Sequence, residues 1–416
     1  MRNHRVVPLI LLALLLPLPA RAALTPVGTP LIFANMDSCS FETELEVVAT
    51  PKGAFDVIWA DFAQDEVVKA LRFGRNLQPA DAPVTLLPIH GGLRFSDFMG
   101  TWAGRYEVAL NAADFGNHPS DPLTGYRISL NLAGDPLAPA ARFKPQRFFQ
   151  LAPAAGGDSL QFRLEPPVFG PPACQSQGLL ARRIDEGGAA LSPESRITRR
   201  ASAFSAGYPH FAVDRLPDDS FVAVYTTCEK FTGLVARRLN AAGAPVGNPI
   251  NLPLPGRLGN FGGGNLLVAA RGGKDFVAVG RVIEDTANPP FSVYTRAVVN
   301  GQVFGPARIS PPTGFISVNG LLDLEASPAG GYLLLFQGFR SDVQRSFLFA
   351  QELDARGVPQ GTPLEISGGE GFTVNAAAAA SLPDGRWIVI TREQSSADAT
   401  ACSERLVRII LADDYD

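Results

Sequence analysis

One pattern recurs along the chain and limits what it can fold into. A turn rich in Pro, Gly or Asp precedes an aromatic, and an alternating β-prone run follows. It reads TPKGAFDVIW at 50–59, WAGRYEVALN at 102–111, LPDDSFVAVY at 216–225, RGGKDFVAVG at 271–280, SPAGGYLLLF at 327–336 and LPDGRWIVIT at 382–391. The aromatics Phe55, Tyr106, Phe221, Phe276, Tyr332 and Trp387 are 51, 115, 55, 56 and 55 residues apart. The gap of 115 spans two periods, and a degenerate copy, APAAGGDSLQFRLE at 152–165, sits inside it. Seven copies with a period near 55 therefore fill the chain.

Each copy reads as four strands. One precedes the turn, and the aromatic run is the second. GLLARRID (178–185), GLVARRLN (233–240) and FLFAQELD (347–354) mark the third. APVGNPINLP (244–253) and VPQGTPLEIS (358–367) mark the fourth. Gly187, Gly243, Gly301 and Gly357 fall where the turn between third and fourth strands needs positive φ. Four-stranded antiparallel units at this period predict an all-β, seven-bladed β-propeller. A two-domain β-sandwich is the alternative. The last copy, ERLVRIILADDYD (404–416), lacks a fourth strand, whereas TPVGTPLIF (25–33) fits one. The N-terminal strand is thus expected to complete the last blade and close the ring, hiding its edges. The expected blades are 41–88, 93–145, 148–200, 208–253, 262–310 and 318–367, then 374–411 completed by 25–33.

The segments of the form ARR-L-[ND]-A-x-G-x-P-x-G resemble the repeats of large secreted bacterial β-propeller proteins, most of them uncharacterised. The resemblance is clear over 178–411 and faint over 41–177. It implies the fold and no particular reaction.

Composition agrees. Of 416 residues, 41 are Gly and 35 Pro, which breaks long helices, while 46% hydrophobic and 18% charged content suits a large core. A net charge of −4 gives no electrostatic case for nucleic acid. Arg2 and Arg5, the apolar run Val6–Leu18 and Ala20-Arg21-Ala22 read as a secretory signal peptide over 1–22, cleaved before Ala23. The rest, 23–416, is expected to be one exported domain, periplasmic or extracellular, monomeric and without a membrane span. In an oxidising compartment four cysteines favour disulfides. Cys174 and Cys228 occupy the second-to-third-strand connections of neighbouring copies. Cys402 occupies that connection in the last copy, and Cys39 enters the first. The expected pairs are Cys39–Cys402 and Cys174–Cys228, with free thiols as the alternative.

Chemistry is expected where the innermost strands meet. Glu46, Asp97 and Asp323 fall in one column of the repeat, and Asp214 and Glu325 two residues later. Period-two spacing sets such side chains on one side of a strand. Crowded carboxylates repel, so one takes a raised pKa or the group holds a cation, calcium being the candidate. The bland reading is a wet channel lining, or pairing with Arg94 and Arg215. The long loops 111–125, 282–292 and 392–404 offer a second binding surface. Other signals are poor. Ala203–Gly207 lacks the first Gly of a nucleophile elbow, and Ser381–Trp387 departs from a sialidase Asp-box spacing. His90, His118 and His210 form no ligand motif, 259–264 is Gly-rich without a phosphate-loop Lys, and no other cofactor is expected. The leading expectation is a non-enzymatic scaffold binding a protein or an envelope or extracellular glycan. The alternatives are a glycan-active enzyme using the channel carboxylates and a purely structural surface component.

Overall fold

A computed structural model describes residues 24–413 apart from 37–44, 62–66, 89–92, 102–104, 113–123, 134, 140, 144–148, 166–174, 186–187, 204–210, 228–229, 259–265, 284–290, 311, 313, 316, 344, 367–370 and 396–402. All four cysteines, His90, His118, His210 and most of the three long loops lie outside the described residues. The chain is all-β and built of four-stranded antiparallel units, with one short 3₁₀ turn at Ala155–Gly157 among the described residues. No described helix is long and apolar enough to cross a membrane.

The repeat maps onto the units as its periodicity requires. Leu45–Ala49, Phe55–Asp61, Val67–Phe73 and Val84–Pro88 pair in that order, as do Ser317–Ala326, Tyr332–Arg340, Arg345–Leu353 and Leu364–Glu365. The copies around 152–165 and 216–225 are joined into one eight-stranded sheet by a single pairing, Ala201 with Thr227. At the ends of the chain, Leu24–Pro26 and Leu31–Met36 both pair antiparallel with the last strand, Glu404–Asp413. The innermost strands pack in sequence: Leu45–Ala49 on Leu93–Thr101, then Phe149–Pro153, Phe211–Arg215, Leu266–Ala270, Ser317–Ala326 and Phe372–Ser381. The last of these packs back on Leu45–Ala49.

The repeated aromatic seals the seams. Phe55, Phe221, Phe276 and Tyr332 are wholly buried and Trp387 nearly so. Each lies in a cluster shared with the preceding unit: Phe55 with Ala378 and Ile390, Phe221 with Leu160 and Phe162, Phe276 with Val222 and Val224, Tyr332 with Val277 and Val279, and Trp387 with Leu333 and Leu335. Burying such a ring is worth about 1.5–3 kcal/mol. The third unit departs from the rule. Its innermost strand ends at Pro153 opposite Ser159, the register that Ala49 and Phe55 hold in the first unit. A buried serine therefore replaces the seam aromatic, which is why this copy reads as degenerate.

The outer turn explains the [ND]-A-x-G motif. The leading side chain accepts the backbone N–H groups two and four residues on: Asn240 from Ala242 (3.0 Å) and Ala244 (2.9 Å), Asp354 from Arg356 (2.7 Å) and Val358 (2.9 Å). Gly243, Gly301 and Gly357 have φ of 84°, 77° and 72°. Gly187 lies outside the described residues, and its neighbour Gly188 (φ 79°) takes the positive-φ place, because Asp185 caps the turn through Ala189 (2.7 Å). The turn also docks on the preceding unit. Thr295 Oγ1 donates to the Gly357 carbonyl at 2.6 Å, and Ser192 Oγ to the Ala242 carbonyl at 2.8 Å. Arg408, in the last strand, donates to the Leu77 carbonyl in the first unit. At that same seam Arg392 binds Glu404 (Nε–Oε2 2.8 Å) and the Ala60 carbonyl (2.9 Å). Both Arg392 and Glu404 are buried.

Two glycines separate conformational strain from packing. A Cβ on Gly385 (φ 89°) would meet nothing within 4 Å, whereas one on Gly357 would lie 3.2 Å from Thr295 Oγ1 and 3.4 Å from Val277 Cγ2. Gly385→Ala should cost about 1–2 kcal/mol from positive φ alone. Gly357→Ala should cost more, by a further 1 kcal/mol or so from overpacking. Denaturant midpoints measure the difference, and equal losses would show that the outer turn does not carry the seam.

Candidate active site

The site is built by register. Glu46 pairs with Ile58, Asp97 with Ala109 and Asp323 with Leu335, each opposite the residue three beyond the repeat aromatic. Asp214 pairs with Val222 and Glu325 with Leu333, one beyond it. The two columns read from the sequence are therefore those of the sheet. Asp323 and Glu325, two apart without an intervening register shift, share one side of Ser317–Ala326.

Four of the five carboxylates act on one another. Glu325 senses the charges of Asp323, Asp214 and Glu46, which come from innermost strands of three different units. Asp323 also senses Asp214. The side chain of Asp97 is not among those described. Among the described residues no group of three or more His, Cys, Asp or Glu is placed to hold a metal ion, so the calcium expectation gains no donor set. Arg215, expected as a counter-ion, lowers the Asp214 pKa only as the smallest contribution, and its ion pair is with Asp219 at 3.1 Å.

The hydrogen bonds divide the carboxylates by task. Asp214 accepts the Arg215 N–H on Oδ1 (2.6 Å) and the Ala270 N–H, from the next innermost strand, on Oδ2 (2.6 Å). Asp323 repeats this with the N–H groups of Leu324 (2.8 Å) and Ala379 (2.6 Å). Both cross-strand bonds span 56 residues, one period of the repeat. These two aspartates are therefore clamps between neighbouring innermost strands. Their alanine partners carry no side-chain signal, so the sequence names the carboxylates without their task.

Burial sets the protonation. It pushes Asp214 up to about 6 against the pull of its two N–H donors and Arg215. Burial does the same to Asp323, helped by the charge of Asp214, again to about 6. Glu325 rises well above the usual carboxylate range, first by burial and then by the charges of Asp323, Asp214 and Glu46. Burial and the neighbouring carboxylates thus oppose ionisation of Glu325 in particular.

No protein-family model and no curated protein matches the chain. Solved structures do. A polysaccharide lyase, the PL25 ulvan lyase, matches with and without bound -[GlcA(1-4)Rha3S]-, at a TM-score of 0.51 and 10% identity, over 93% of this chain and 94% of its own. A protein of unknown function from Dyadobacter fermentans matches at 0.50 and 11%, over 95% and 100%. The β-propeller domain of the Trilobed protease from Pyrococcus furiosus matches at 0.46 and 10%, over 91% and 95%. At such identities the likeness is one of fold alone; the repeated four-stranded units and the succession of innermost strands are themselves propeller-like. The expectation of a non-enzymatic scaffold is corrected to this extent: a neighbour that spans nearly the whole chain on the same fold is a polysaccharide lyase.

The raised carboxylates make a signed prediction. A group whose folded pKa exceeds its unfolded value contributes stability that is full below the unfolded pKa and is lost as pH rises through the folded one. For Asp214 and Asp323 the window runs from their ordinary 3.8 to about 6, at most about 3 kcal/mol each. Glu325 continues the loss to higher pH. Glu325→Gln should therefore raise the calorimetric midpoint relative to wild type at pH 8 and leave it nearly unchanged at pH 4. A variant less stable than wild type at pH 8 would contradict the charge repulsion.

Proposed function

We propose that the protein is an exported glycan-active enzyme that breaks glycosidic bonds at the axis of a closed, seven-bladed ring. The observation that carries this reading is Glu325, a buried carboxyl on which carboxylates from innermost strands of three units act, and whose pKa they and burial raise. In the step we assign to it, the Glu325 proton passes to the departing glycosidic oxygen as the C–O bond breaks, while a water molecule adds its oxygen to the sugar carbon and gives up a proton to solvent. The resulting carboxylate recovers its proton from water. Glu46, which faces Glu325 from the first unit, is the charged partner that offsets positive charge developing on the sugar. Acid catalysis by a positioned carboxyl contributes about 10²–10⁴ in rate.

The likeness to ulvan lyase supports the glycan class without naming the sugar. Seven innermost strands packed in succession, and the pairing of both chain ends in one sheet, support the closed seven-bladed ring. Export rests on the basic, apolar and Ala-x-Ala segments of residues 1–22, and with it the Cys39–Cys402 and Cys174–Cys228 disulfides. A monomer fits a ring that hides its own edges.

The test is to incubate the mature protein with neutral and uronic polysaccharides. New reducing ends would report cleavage, and ultraviolet absorbance of unsaturated uronate would mark elimination rather than hydrolysis. Wild type should cleave at least one polymer, and Glu325→Gln should lower kcat by about 10²-fold or more with its fold intact. Equal rates in both proteins would overturn the assignment.

A further inference from the structure

The axial aspartates are a costly way to tie strands together. Elsewhere neutral groups make the same kind of cross-unit bond. Ser381 Oγ donates to the Ala326 carbonyl at 3.1 Å, Gln337 Nε2 to the Val374 carbonyl at 2.6 Å, and Thr295 Oγ1 to the Gly357 carbonyl at 2.6 Å. A neutral side chain clamps without desolvating a charge. Charge is nonetheless found at two clamps, Asp214 on Ala270 and Asp323 on Ala379, both aimed at the strand one period further on. These are also the two aspartates whose charges reach Glu325. Each oxygen of both accepts a backbone N–H group, so these two carboxylates are held in fixed places on the strands they join.

We propose that Asp214 and Asp323 are positioning residues of the axial site. They lock neighbouring innermost strands in pairs and thereby fix where their own carboxylates sit relative to Glu325. The proposal deepens the glycan-cleaving reading and rests on it for the use of the Glu325 proton. The Glu325 pKa is a property of the folded chain that can be measured without a substrate. Among the described residues, the charged groups that act on Glu325 are Asp323 on its own strand and Asp214 and Glu46 from the innermost strands of other units, with Arg215 acting on Asp214. Arg271, Asp275 and Asp214 act on Tyr332 at the foot of the same hairpin. Burial and the carboxylates raise the Glu325 pKa, the Ala326 backbone hydrogen bond opposes them, and Arg215, by favouring the charged form of Asp214, works with them. Removal of one carboxylate should therefore lower the Glu325 pKa.

The experiment is an infrared titration of the folded mature protein. The carboxylic-acid stretching band that disappears in Glu325→Gln is followed against pH in wild type, Asp323→Asn and Asp214→Asn. Asn removes the charge and keeps one acceptor oxygen. The midpoint of the Glu325 band should fall by about 1 pH unit in Asp323→Asn and by less in Asp214→Asn. The two variants also allow the test to proceed if one does not fold. Unchanged midpoints in the folded variants would overturn the proposal and leave the aspartates as clamps alone. Where wild type cleaves a glycan, the basic limb of the Asp323→Asn kcat profile should move to lower pH with KM unchanged. A purely structural clamp would lower active enzyme at every pH without moving that limb. A shifted infrared midpoint in a protein that cleaves nothing would sustain the positioning role and refute the enzymatic reading.

Discussion

The pairing of residues 24–36 with the last strand of the chain is the constraint on which the rest depends. Without it the last unit keeps an open edge at Glu404–Asp413, beside the contact between Phe372–Ser381 and Leu45–Ala49. The seam this pairing closes is reinforced by buried charge. Arg392 joins Glu404 within the last unit and reaches the Ala60 carbonyl in the first, while Arg408 reaches Leu77. A buried ion pair is a poor source of net stability but a strict one in geometry, since the loss of either partner strands the other. Phe55 supplies the apolar part of the same seam, packed among Ala378, Ile388 and Ile390.

Regularity at the seams carries over to the axis. Because the aromatics Phe55, Phe221 and Tyr332 face the preceding unit and sit opposite the end of the innermost strand, the residues three and one before that end hold the same register in these copies. Carboxylates at those places in three units then face a common interior. Packing outside the axis thereby decides which charges meet inside it. The resulting repulsion is set against about 8–15 kcal/mol of aromatic burial that holds the strands in place, at about 1.5–3 kcal/mol per ring for the buried five.

The parts legible in the sequence were those the chain repeats. Phe221, Phe276, Tyr332 and Trp387 recur at nearly constant spacing because each does the same work at its seam. The carboxylate columns were legible because strand register follows the same turn. The third copy was faint because Ser159 stands where an aromatic is expected, and the outer-turn glycine there was misplaced by one, at Gly187 instead of Gly188. The task of Asp214 and Asp323 was hidden, since their partners are the backbone N–H groups of Ala270 and Ala379, which any residue but proline supplies. Function was the least legible. The motifs of familiar chemistries are missing from the chain, and a carboxylate column reads equally as lining or as a site until the charges are brought together.

The central claim is that a protonated Glu325 faces ionised carboxylates from other units at the axis. Neutron diffraction from a deuterium-exchanged crystal near pH 7 would test it most directly. The account predicts a deuteron on the Glu325 carboxyl, bare oxygens on Asp214 and Asp323, and deuterons of the Ala270 and Ala379 amides pointing at them. An ionised Glu325, or one turned away from Asp214 and Glu46, would contradict it.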